Sequence, residues 1–400
     1  MWPRVWQVAC TVDHVAEPGD YFEYRCGPYS VLIVRDGDGQ LRAFQNVCRH
    51  RGNSLCTGAG SQLSELRCGY HGWTWDLSGA LKRVPNRKGF GALHMNDFPL
   101  IGGVRVDAWE RLVFVNLDAD AMPLHEYLEA MPADIAWNRL ADFRCYATMT
   151  IEVDANWKTI ADGYSETYHI QTLHPPELHR CMDDVYAPQQ IWGHTGKSEQ
   201  YYGVPSPHLK EPISDDDVWD AYVTTQGALM GVEEGTPFPG GASVPDVIAS
   251  RTREFAAGRG VDLSWATTEQ VLLLHQYNVF PNMTLLTNAD HLTVMTSHPG
   301  ADPPEHGELV MYLWTRMAPD APRTTPIDVR MTADEAHPGL VLTQDISVLA
   351  GLQRGLRQPG FTHLTLSNEE RRVINLHRNL ERYLDLPEAD RMTGGEPGGT

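Results

Sequence analysis

The sequence predicts an α+β protein of two domains, a small all-β domain followed by a larger domain in which helices pack on an antiparallel sheet. Two observations predict this class. Short apolar runs separated by Gly- and Asp-containing turns dominate residues 20–116. In the second half, strand-like segments are mixed with amphipathic helical stretches. A length of 400 residues accommodates both domains, which we assign to residues 1–135 and 136–400.

The elements of the first domain follow from its turn signals. Residues 31–34 and 41–44 are apolar runs on either side of residues 36–39, whose Asp-Gly-Asp-Gly sequence indicates a hairpin. A second turn is predicted at residues 76–79, and residues 112–116 are typical of a buried strand. The pattern therefore predicts a small all-β domain.

In the second domain, periodicity indicates both strands and helices. A short helix at residues 124–128 ends before Pro132 and marks the boundary region. The predicted strands are residues 146–153, 271–286 and 309–316. Residues 369–384 predict a long helix with an apolar stripe formed by Val373, Leu376, Leu380 and Leu384. Gly-, Pro- and acid-rich composition predicts loops at residues 212–217 and 231–245 and in the tail after Pro387.

Charge and cysteine content argue against several function classes. The formal net charge of −20 disfavours nucleic-acid binding. We find no apolar run long enough to span a bilayer, and the N-terminus lacks the apolar core of a signal peptide. The seven cysteines are odd in number and irregularly spaced, which argues against a disulfide framework and favours the cytoplasm.

Two cysteine–histidine pairs are the most informative motif. Cys48 and His50 form the first pair, and Cys68 and His71 form the second. Two thiolates and two imidazoles at this spacing fit a Rieske [2Fe–2S] centre, in which two Cys hold one iron and two His hold the other. A Cys2His2 zinc site needs the same donors but usually groups the two Cys together. A disulfide between the two cysteines would leave both histidines unexplained.

A second constellation lies at residues 156–176. If this stretch is helical, Asp162, Glu166 and His169 fall on one face at positions i, i+4 and i+7. Pro175 biases His174 away from helical geometry, so the helix can end there and return His174 toward His169. Two imidazoles could then share one metal ion, with Glu166 beside His169.

The third ligand of such a site must come from elsewhere in the chain. Two His and one carboxylate form the non-haem Fe(II) arrangement, whose open positions receive O2. Asp345 is the best candidate, because it is a polar residue in an otherwise apolar, helix-like stretch. Asp334 and Glu335 compete for this role, and His179 competes for a histidine role. Taken alone, the His169–His174 pair is also compatible with ordinary helix-end histidines.

In chain order, the two constellations resemble the terminal oxygenase (alpha) subunit of Rieske non-haem iron oxygenases, the superfamily of ring-hydroxylating dioxygenases and related monooxygenases. The matching segments are Cys48-X-His50 with Cys68-X2-His71, the run from Asn156-Trp157-Lys158 to Glu166-X2-His169-X4-His174-Pro175, and Asp345 followed by Gln353-Arg354-Gly355-Leu356. The resemblance covers nearly the whole chain.

The resemblance implies an N-terminal Rieske domain and a catalytic domain of the helix-grip type, with a curved antiparallel sheet around a substrate cavity. Each chain would hold one [2Fe–2S] cluster on Cys48, His50, Cys68 and His71 and one mononuclear Fe(II) on His169, His174 and Asp345. The subunits would form a ring, usually a homotrimer with or without a beta subunit, in which one subunit's cluster feeds its neighbour's iron. Glu166 matches the carboxylate that bridges His71 of one subunit and His169 of the next.

Two positions depart from the naphthalene-type dioxygenases. Residue 166 is Glu where those enzymes carry Asp, and residue 163 is Gly where Asn is common. The Glu and its spacing from Asn156 look more like the monooxygenase branches, which include enzymes that act on carnitine and betaines. Cis-dihydroxylation is therefore not implied by the motif alone.

The implied activity is mono- or cis-dihydroxylation of an aromatic or other apolar organic substrate with O2. Electrons would come from NAD(P)H through a separate flavin reductase, with or without a ferredoxin, because the chain has no GxGxxG segment after a strand. Three alternatives stay open: an oxidative N- or O-demethylase, a quaternary-ammonium monooxygenase acting on carnitine- or betaine-like substrates, and a Rieske electron carrier without oxygenase activity. A stand-alone carrier needs only about a hundred residues.

Two further groups of residues have both a functional and a structural interpretation. A cationic group near the cluster motif forms either a docking surface for the reductase or an ordinary solvated face; it consists of Arg49, Arg51, Lys82, Arg83, Arg87 and Lys88. Aromatic residues of the second domain either line the cavity or belong to the core; they are Tyr164, Tyr168, Tyr201, Tyr202, Trp192 and Trp219.

Overall fold

The computed structural model describes residues 1–174, 177–184, 188–300, 302, 304–318, 321–322, 324–388 and 391. Pro175 and most of the predicted loop tail after Pro387 lie outside these residues. The chain divides into two compact units, Met1–Tyr127 and Leu128–Thr400. Our boundary at residues 135 and 136 stays a prediction.

The first unit is built from short strands, as the turn signals predict. Its strands are β1 (Gln7–Thr11), β2 (Tyr21–Cys26), β3 (Tyr29–Arg35), β4 (Leu41–Gln45), β5 (Ala59–Gly60), β6 (Leu66–Arg67), β7 (Thr74–Trp75), β8 (Leu81–Arg83), β9 (Arg105–Trp109) and β10 (Leu112–Asn116). They form sheets in the orders β1-β10-β9, β4-β3-β2-β5 and β6-β7-β8. The predicted hairpin is confirmed, since β3 pairs antiparallel with β4 across residues 36–39.

The second unit contains one large sheet. Its strands are β11 (Phe143–Val153), β12 (Met182–Asp183), β13 (Gln189–Ile191), β14 (Thr195–Tyr202), β15 (Leu273–Val279), β16 (Met283–Thr287), β17 (Leu292–Pro299), β18 (Gly307–Arg316) and β19 (Ile327–Thr332). Their order is β12-β14-β15-β16-β17-β18-β11-β19, with β13 on β14. Among the described residues every pairing in this sheet is antiparallel except that of β19 with β11.

The first unit ends with the helix α1 (Leu124–Tyr127). The helices of the second unit are α2 (Met131–Ile135), α3 (Trp157–Gly163), α4 (Ile170–Leu173), α5 (Leu178–Cys181), α6 (Asp215–Gln226), α7 (Val244–Gly258), α8 (Thr268–Leu272), α9 (Leu340–Leu356) and α10 (Arg371–Tyr383). Residues of α3 and α9 pack with β11, β17 and β18 in a core that contains Ile160, Met295, Leu309 and Leu349. Within the described ranges, each helix is too short or too polar to cross a lipid bilayer.

Several predicted boundaries in the second unit were wrong. The strand predicted at residues 271–286 is the end of α8 followed by two paired strands, because Pro281 has no N–H to continue one strand. The loop predicted at residues 212–217 already contains the start of α6, since Ser214 and Asp217 form a reciprocal capping box. The apolar stripe of α10 ends at Leu380, and Leu384 is exposed.

The single helix predicted over residues 156–174 is broken in two. Asn156 caps α3 by accepting a hydrogen bond from the Lys158 N–H, but α3 ends at Gly163 and α4 begins at Ile170. The freed carbonyl of Tyr164 instead accepts a hydrogen bond from Gln276 Nε2 at 2.6 Å. Side chains of the sheet therefore replace helical partners at the break.

The break also separates Asp162 from Glu166 and His169, with which we placed it on one helical face. Asp162 instead accepts hydrogen bonds from His377 Nε2 of α10, at 3.0 Å to each carboxylate oxygen. This pair joins α3 to α10. Burial opposes protonation of His377, but its hydrogen bond to Asp162 and the charge of that residue raise its pKa.

The Asp162–His377 pair predicts a pH-dependent contribution to stability. Because the folded-state pKa of His377 is raised, the contribution is complete below the unfolded pKa of about 6.5 and is lost as pH rises through the folded value. We expect His377→Gln to lower the free energy of unfolding by about 1 kcal/mol at acidic pH and by less at alkaline pH. Urea unfolding at both pH values measures this difference. His306→Gln, which removes a more exposed pair with Asp154, is the matched control. A His377→Gln effect that grew with pH would contradict the prediction.

Candidate functional site

The two cysteine–histidine pairs lie on loops of the same construction in the first unit. The Gly52 N–H donates to the Cys48 carbonyl and the Gly72 N–H donates to the Cys68 carbonyl, each at 3.0 Å. Gly52 has φ of +80° and Gly72 has φ of +70°, which favour glycine. In each loop the Cys N–H also donates to a carbonyl just beyond the glycine, that of Asn53 or Trp73. The chain thus presents two equivalent turns.

These turns bring the four predicted cluster ligands together. The thiols of Cys48 and Cys68 are buried and close enough to share a hydrogen bond. The His50 and His71 rings lie 4.7 Å apart between centroids. A pair of thiols and a pair of imidazoles have the donor chemistry that a Rieske cluster requires. The geometry supports this ligand set, and the assignment stays a prediction.

Backbone N–H groups surround the sulfur atoms. Burial would raise the pKa of the Cys68 thiol, but hydrogen bonds from the N–H groups of Tyr70 and His71 lower it. The same kind of hydrogen bond to Cys48 comes from the N–H groups of His50 and Arg51, although burial dominates there and raises the pKa of that thiol. Donors of this kind stabilise a thiolate that holds iron.

Trp73 and Trp75 belong to the core of the first unit. Both are buried, at 2% and 0% exposure. Trp73 also stacks on His50, with ring centroids 5.3 Å apart and planes within 2°. It therefore fixes the orientation of one predicted cluster ligand as well as filling the core. By contrast, the His71 side chain lies at the exposed tip of its loop.

The second constellation assembles in the second unit from α4 and α9. His169, His174 and Asp345 each offer one ligand atom, and these atoms all lie within 4.8 Å of one another. Asp345 Oδ1 is 3.0 Å from His174 Nε2 and 3.6 Å from His169 Nε2. The His174 side chain is fully buried, and the other two are mostly buried. Two imidazole nitrogens and one carboxylate oxygen directed at one point suit the non-haem iron arrangement.

Neighbouring side chains determine which nitrogen of each histidine is available. His169 Nδ1 lies 2.6 Å from Glu166 Oε1, and its backbone N–H donates to Glu166 Oε2 at 3.1 Å. His174 Nδ1 lies 2.6 Å from Gln344 Oε1. If both Nδ1 atoms carry the proton and donate it to these oxygens, both Nε2 atoms are left as metal ligands. The sequence analysis missed Gln344, although it directly precedes Asp345.

Charged and polar groups around the site are buried. Burial opposes protonation of His169, but its hydrogen bond to Glu166 and the charges of Glu166 and Asp345 raise its pKa. Burial lowers the pKa of Arg372 to about 9, which the nearby Glu166 carboxylate opposes. Burial and the charge of Asp345 raise the pKa of Tyr164, whose hydroxyl has no hydrogen-bond partner among the described residues. Tyr164 therefore stays protonated beside the site.

The competing ligand candidates lie elsewhere. Glu335 accepts hydrogen bonds from the backbone and the hydroxyl of Thr332, as a local cap does. His179 belongs to a different cluster, with Asp184 and His208. Asp334 belongs to neither of the two groups of described residues that could hold a metal ion. The structure thus brings Asp345, and not these alternatives, to the two histidines.

A cavity of about 380 Å³ lies in the second unit at the start of α9. It is lined by Tyr202, Tyr222, Trp314, Leu286, Met311 and Leu342, among others. Leu342 precedes Asp345 by one helical turn of α9, and Tyr202 packs in the same core as Ile170 of α4. No described residue of the lining carries a carboxylate, lysine or arginine side chain. Burial lowers the pKa of the lining residue His291 to about 4, so that imidazole is neutral at pH 7.

The six predicted cavity aromatics have different positions. Tyr202 lines the cavity, Trp219 and Tyr164 are buried in cores, and Tyr168 is exposed. Tyr201 packs, partly buried, against the core that contains Trp219, and Trp192 is partly buried. A larger cavity of about 720 Å³ borders the face of α9 that carries Thr343 and Ser347. Its lining includes several charged groups, so it is less suited to an apolar molecule than the 380 Å³ cavity.

The Glu166–His169 contact predicts a measurable effect on the site. Glu166→Gln keeps the side-chain shape but removes the negative charge that orients and polarises His169. We expect a fall of about 10–100-fold in iron affinity or in turnover. Iron content and substrate-dependent O2 uptake measure the two effects. Glu335→Gln makes the same chemical change at a cap away from the site and should leave both unchanged. Wild-type iron retention and turnover in Glu166→Gln would show that the contact is dispensable.

Comparisons with known families match both units. Residues 5–99 match the family described as "Rieske [2Fe-2S] domain", and residues 140–386 match "Ring hydroxylating alpha subunit (catalytic domain)". The second match alone covers more than half of the chain.

Curated relatives include both monooxygenases and dioxygenases. The chain is 30% identical over 188 residues to the carnitine monooxygenase oxygenase subunit of Acinetobacter pittii, covering 46% of this chain and 50% of the relative. It is 30% identical over 198 residues to the large oxygenase component of a 2,4-dinitrotoluene dioxygenase system from Burkholderia sp., covering 47% and 43%. The matches thus span about half the length of these relatives.

Solved structures share the fold over nearly the whole chain. A quaternary ammonium Rieske monooxygenase aligns with a TM-score of 0.68 at 18% identity, covering 96% of this chain and 90% of that chain. Naphthalene 1,2-dioxygenase from Rhodococcus sp. aligns with a TM-score of 0.64 at 21% identity, covering 96% and 90%. The predicted combination of an all-β Rieske domain with a catalytic domain of sheet and helices is confirmed.

Proposed function

Because the chain belongs to the family of ring-hydroxylating alpha subunits and carries a Rieske [2Fe–2S] domain, we propose that it is the oxygenase component of a multicomponent enzyme that hydroxylates a neutral, apolar organic substrate. The two family domains bind a [2Fe–2S] cluster and a mononuclear iron, as the motifs predict. The observation that carries the proposal is the convergence of His169, His174 and Asp345. A cavity with an uncharged lining lies at the start of α9, the helix that carries Asp345.

The site residues have separate roles in this proposal. His169 and His174 would hold the mononuclear iron through Nε2, and Asp345 would complete the ligand set through its carboxylate. Once bound, the cluster supplies electrons one at a time and the mononuclear iron supplies O2 activation. Glu166 and Gln344 keep the two imidazoles in the required orientation, since each holds the opposite ring nitrogen at 2.6 Å.

Electrons arrive through other proteins and other copies of this chain. A flavin reductase, with or without a ferredoxin, delivers them from NAD(P)H to the cluster of one subunit. We expect the cluster of one subunit to serve the iron site of its neighbour in a homotrimer, and Glu166 would lie between His71 of one copy and His169 of the next. The exposure of His71 at its loop tip supports this role. The odd number and irregular spacing of the seven cysteines support work in the reducing cytoplasm.

The cavity supports a neutral substrate. A volume of about 380 Å³ is within the usual range for small-molecule sites, about 300–1,000 Å³. Its wall combines aliphatic and aromatic side chains with a few neutral polar groups such as Asn288 and Gln226. An ionic substrate would lose its hydration there without gaining an opposite charge from the described lining. An aromatic or other apolar molecule loses little and gains contact with Tyr222 and Trp314.

A quaternary ammonium compound is the second candidate substrate. Glu166 and the similarity to the carnitine monooxygenase subunit support it. The faces of Tyr202, Tyr222 and Trp314 could bind a trimethylammonium group by cation–π contact. The carboxylate of a carnitine-like zwitterion, however, would need a cation or several N–H donors, and the described lining provides no lysine or arginine. The cavity thus favours the neutral substrate.

A substrate screen distinguishes these candidates. Reconstituted enzyme with a reductase and NADH is supplied with neutral aromatics or with carnitine- and betaine-like compounds, and O2 uptake and product mass are recorded. We expect uptake with neutral aromatics. A product heavier than the substrate by one oxygen atom indicates monooxygenation. A product heavier by two oxygen atoms and two hydrogen atoms indicates cis-dihydroxylation, and release of formaldehyde indicates demethylation. If O2 uptake occurred only with quaternary ammonium compounds, the neutral-substrate assignment would be wrong and the second candidate would replace it. Absence of mononuclear iron would indicate an electron carrier and refute the oxygenase proposal.

A further inference from the structure

A second group of two histidines and a carboxylate lies outside the site described above. His179 is in α5, Asp184 directly follows β12, and His208 is in the loop after β14. Each offers one ligand atom, and these atoms all lie within 4.8 Å of one another. Three donors of these types are sufficient to hold a metal ion in a protein.

The burial of this group indicates a missing partner. Asp184 is only 6% exposed. Its Oδ1 accepts a hydrogen bond from the Ser206 hydroxyl, but its Oδ2 is buried without a hydrogen-bond partner among the described residues. The Nε2 atom of His179 is also buried and has no such partner. Buried polar atoms are almost always paired, so two unpaired atoms at one point call for a ligand.

An ion pair alone does not account for the geometry. His208 Nδ1 lies 3.6 Å from Asp184 Oδ2, beyond a good hydrogen bond. Even if His208 were protonated, His179 Nε2 would stay unpaired. A tetrahedral metal with bonds of about 2.0–2.1 Å holds its ligand atoms about 3.4 Å apart, close to the distance between His208 and Asp184. A single cation would satisfy all three side chains.

We propose that His179, Asp184 and His208 bind a divalent first-row transition metal, for which Zn²⁺ fits best. Two imidazole nitrogens with one carboxylate oxygen disfavour Mg²⁺ and Ca²⁺, which take mainly oxygen ligands. The Ser206 hydroxyl orients the carboxylate by holding Oδ1, which leaves Oδ2 for the metal. His208 is the most exposed of the three and provides access from solvent.

The position of the proposed metal site, between α5 and the loop after β14, indicates a structural role. The Ser206 N–H donates to the His179 carbonyl at 3.1 Å, so the loop after β14 already contacts α5. The His179 N–H in turn donates to the carbonyl of His174 at 3.3 Å. A metal at this group would therefore anchor the segment that begins at a predicted iron ligand. It would stabilise the fold of this segment without contacting substrate.

Metal analysis of the iron-loaded enzyme tests the proposal. The protein is incubated with ZnCl2, desalted, and analysed for iron and zinc by mass spectrometry. We expect one zinc per chain with no loss of iron, and a rise in Tm of about 4 °C with zinc present. Asp184→Asn preserves the side-chain shape, and His208→Ala changes an exposed residue, so neither should prevent folding. Both should retain iron, lose the zinc and lose the rise in Tm.

A matched control separates this site from general zinc binding. His306→Ala removes a partly exposed histidine that also contacts an aspartate, Asp154 at 2.9 Å, and should keep the zinc and the rise in Tm. Zinc that appears only as iron is lost would mean displacement at the iron site and would overturn the proposal. Absence of stoichiometric zinc in the wild-type protein, or equal zinc in wild type and Asp184→Asn, would also overturn it.

Discussion

Replacement of His174 by alanine should remove the mononuclear iron and leave the two cluster irons in place. His174 is fully buried, and its Nε2 lies 3.0 Å from Asp345 Oδ1, so no solvent-exposed group can replace it easily. We expect the loss of this metal ligand to remove about 4 kcal/mol of transition-state stabilisation, which lowers turnover by about 10³-fold. Iron analysis, visible absorption of the cluster and substrate-dependent O2 uptake measure the three outcomes in one preparation.

The control for this variant is a histidine of the same unit with no place in the site. His306→Ala removes an imidazole that is about half exposed and pairs with Asp154. It should retain all three irons and the wild-type rate of O2 uptake. If His174→Ala also retained three irons and full turnover, His174 would not be an iron ligand. A loss of the cluster absorption together with the mononuclear iron would indicate general misfolding, which unfolding midpoints of the two variants would detect.

Replacement of Cys68 by serine should have the opposite effect on iron content. Cys68 is 2% exposed and receives hydrogen bonds from the N–H groups of Tyr70 and His71, which favour its thiolate form. A serine hydroxyl cannot replace that thiolate as a cluster ligand. We expect loss of the visible absorption and of both cluster irons, retention of the mononuclear iron, and a fall of O2 uptake to the background rate. Electrons from the reductase would then have no acceptor on this chain.

The matched control is another cysteine of the same unit. Cys56 is partly buried, and burial raises the pKa of its thiol to about 11, so it is a poor metal ligand at neutral pH. Cys56→Ser should keep the cluster absorption and the full iron content. An intact cluster in Cys68→Ser would refute the ligand assignment. His174→Ala and Cys68→Ser are expected to remove different irons. Together, the two variants therefore separate electron transfer through the cluster from oxygenation at the mononuclear iron site.

The spacing of residues was sufficient to predict the cluster motif. Both turns are local, because each is closed by hydrogen bonds between residues four or five positions apart. Glycine at positions 52 and 72 is the sequence signal for the positive φ that each turn needs. The same locality explains why the turn at residues 36–39 and the bounds of the strand β10 were predicted correctly, although β3 extends beyond the predicted residues 31–34 at both ends.

Longer helical patterns were less reliable, because tertiary contacts replaced local ones. The pattern of residues 156–174 indicates one helix, yet Gln276 of β15 binds the Tyr164 carbonyl at the break. Asp162 then meets His377, a partner far away in sequence. Helical spacing placed Asp162 with Glu166 and His169, and no local signal indicated otherwise. The capping box of α6, formed by Ser214 and Asp217, is a local signal, but it lies in an acid-rich stretch whose composition predicts a loop.

By itself, the sequence determined the donor types, their order along the chain and the family, because short-range spacing and residue chemistry carry that information. Only the tertiary structure decided that Asp345, and not Asp334 or Glu335, meets the two histidines, and that Gln344 holds His174. It also revealed the uncharged cavity and brought Asp184 to its two histidines. These features join residues from separate helices, strands and loops. Their proximity is set by how the sheet and helices pack, which spacing along one segment does not encode.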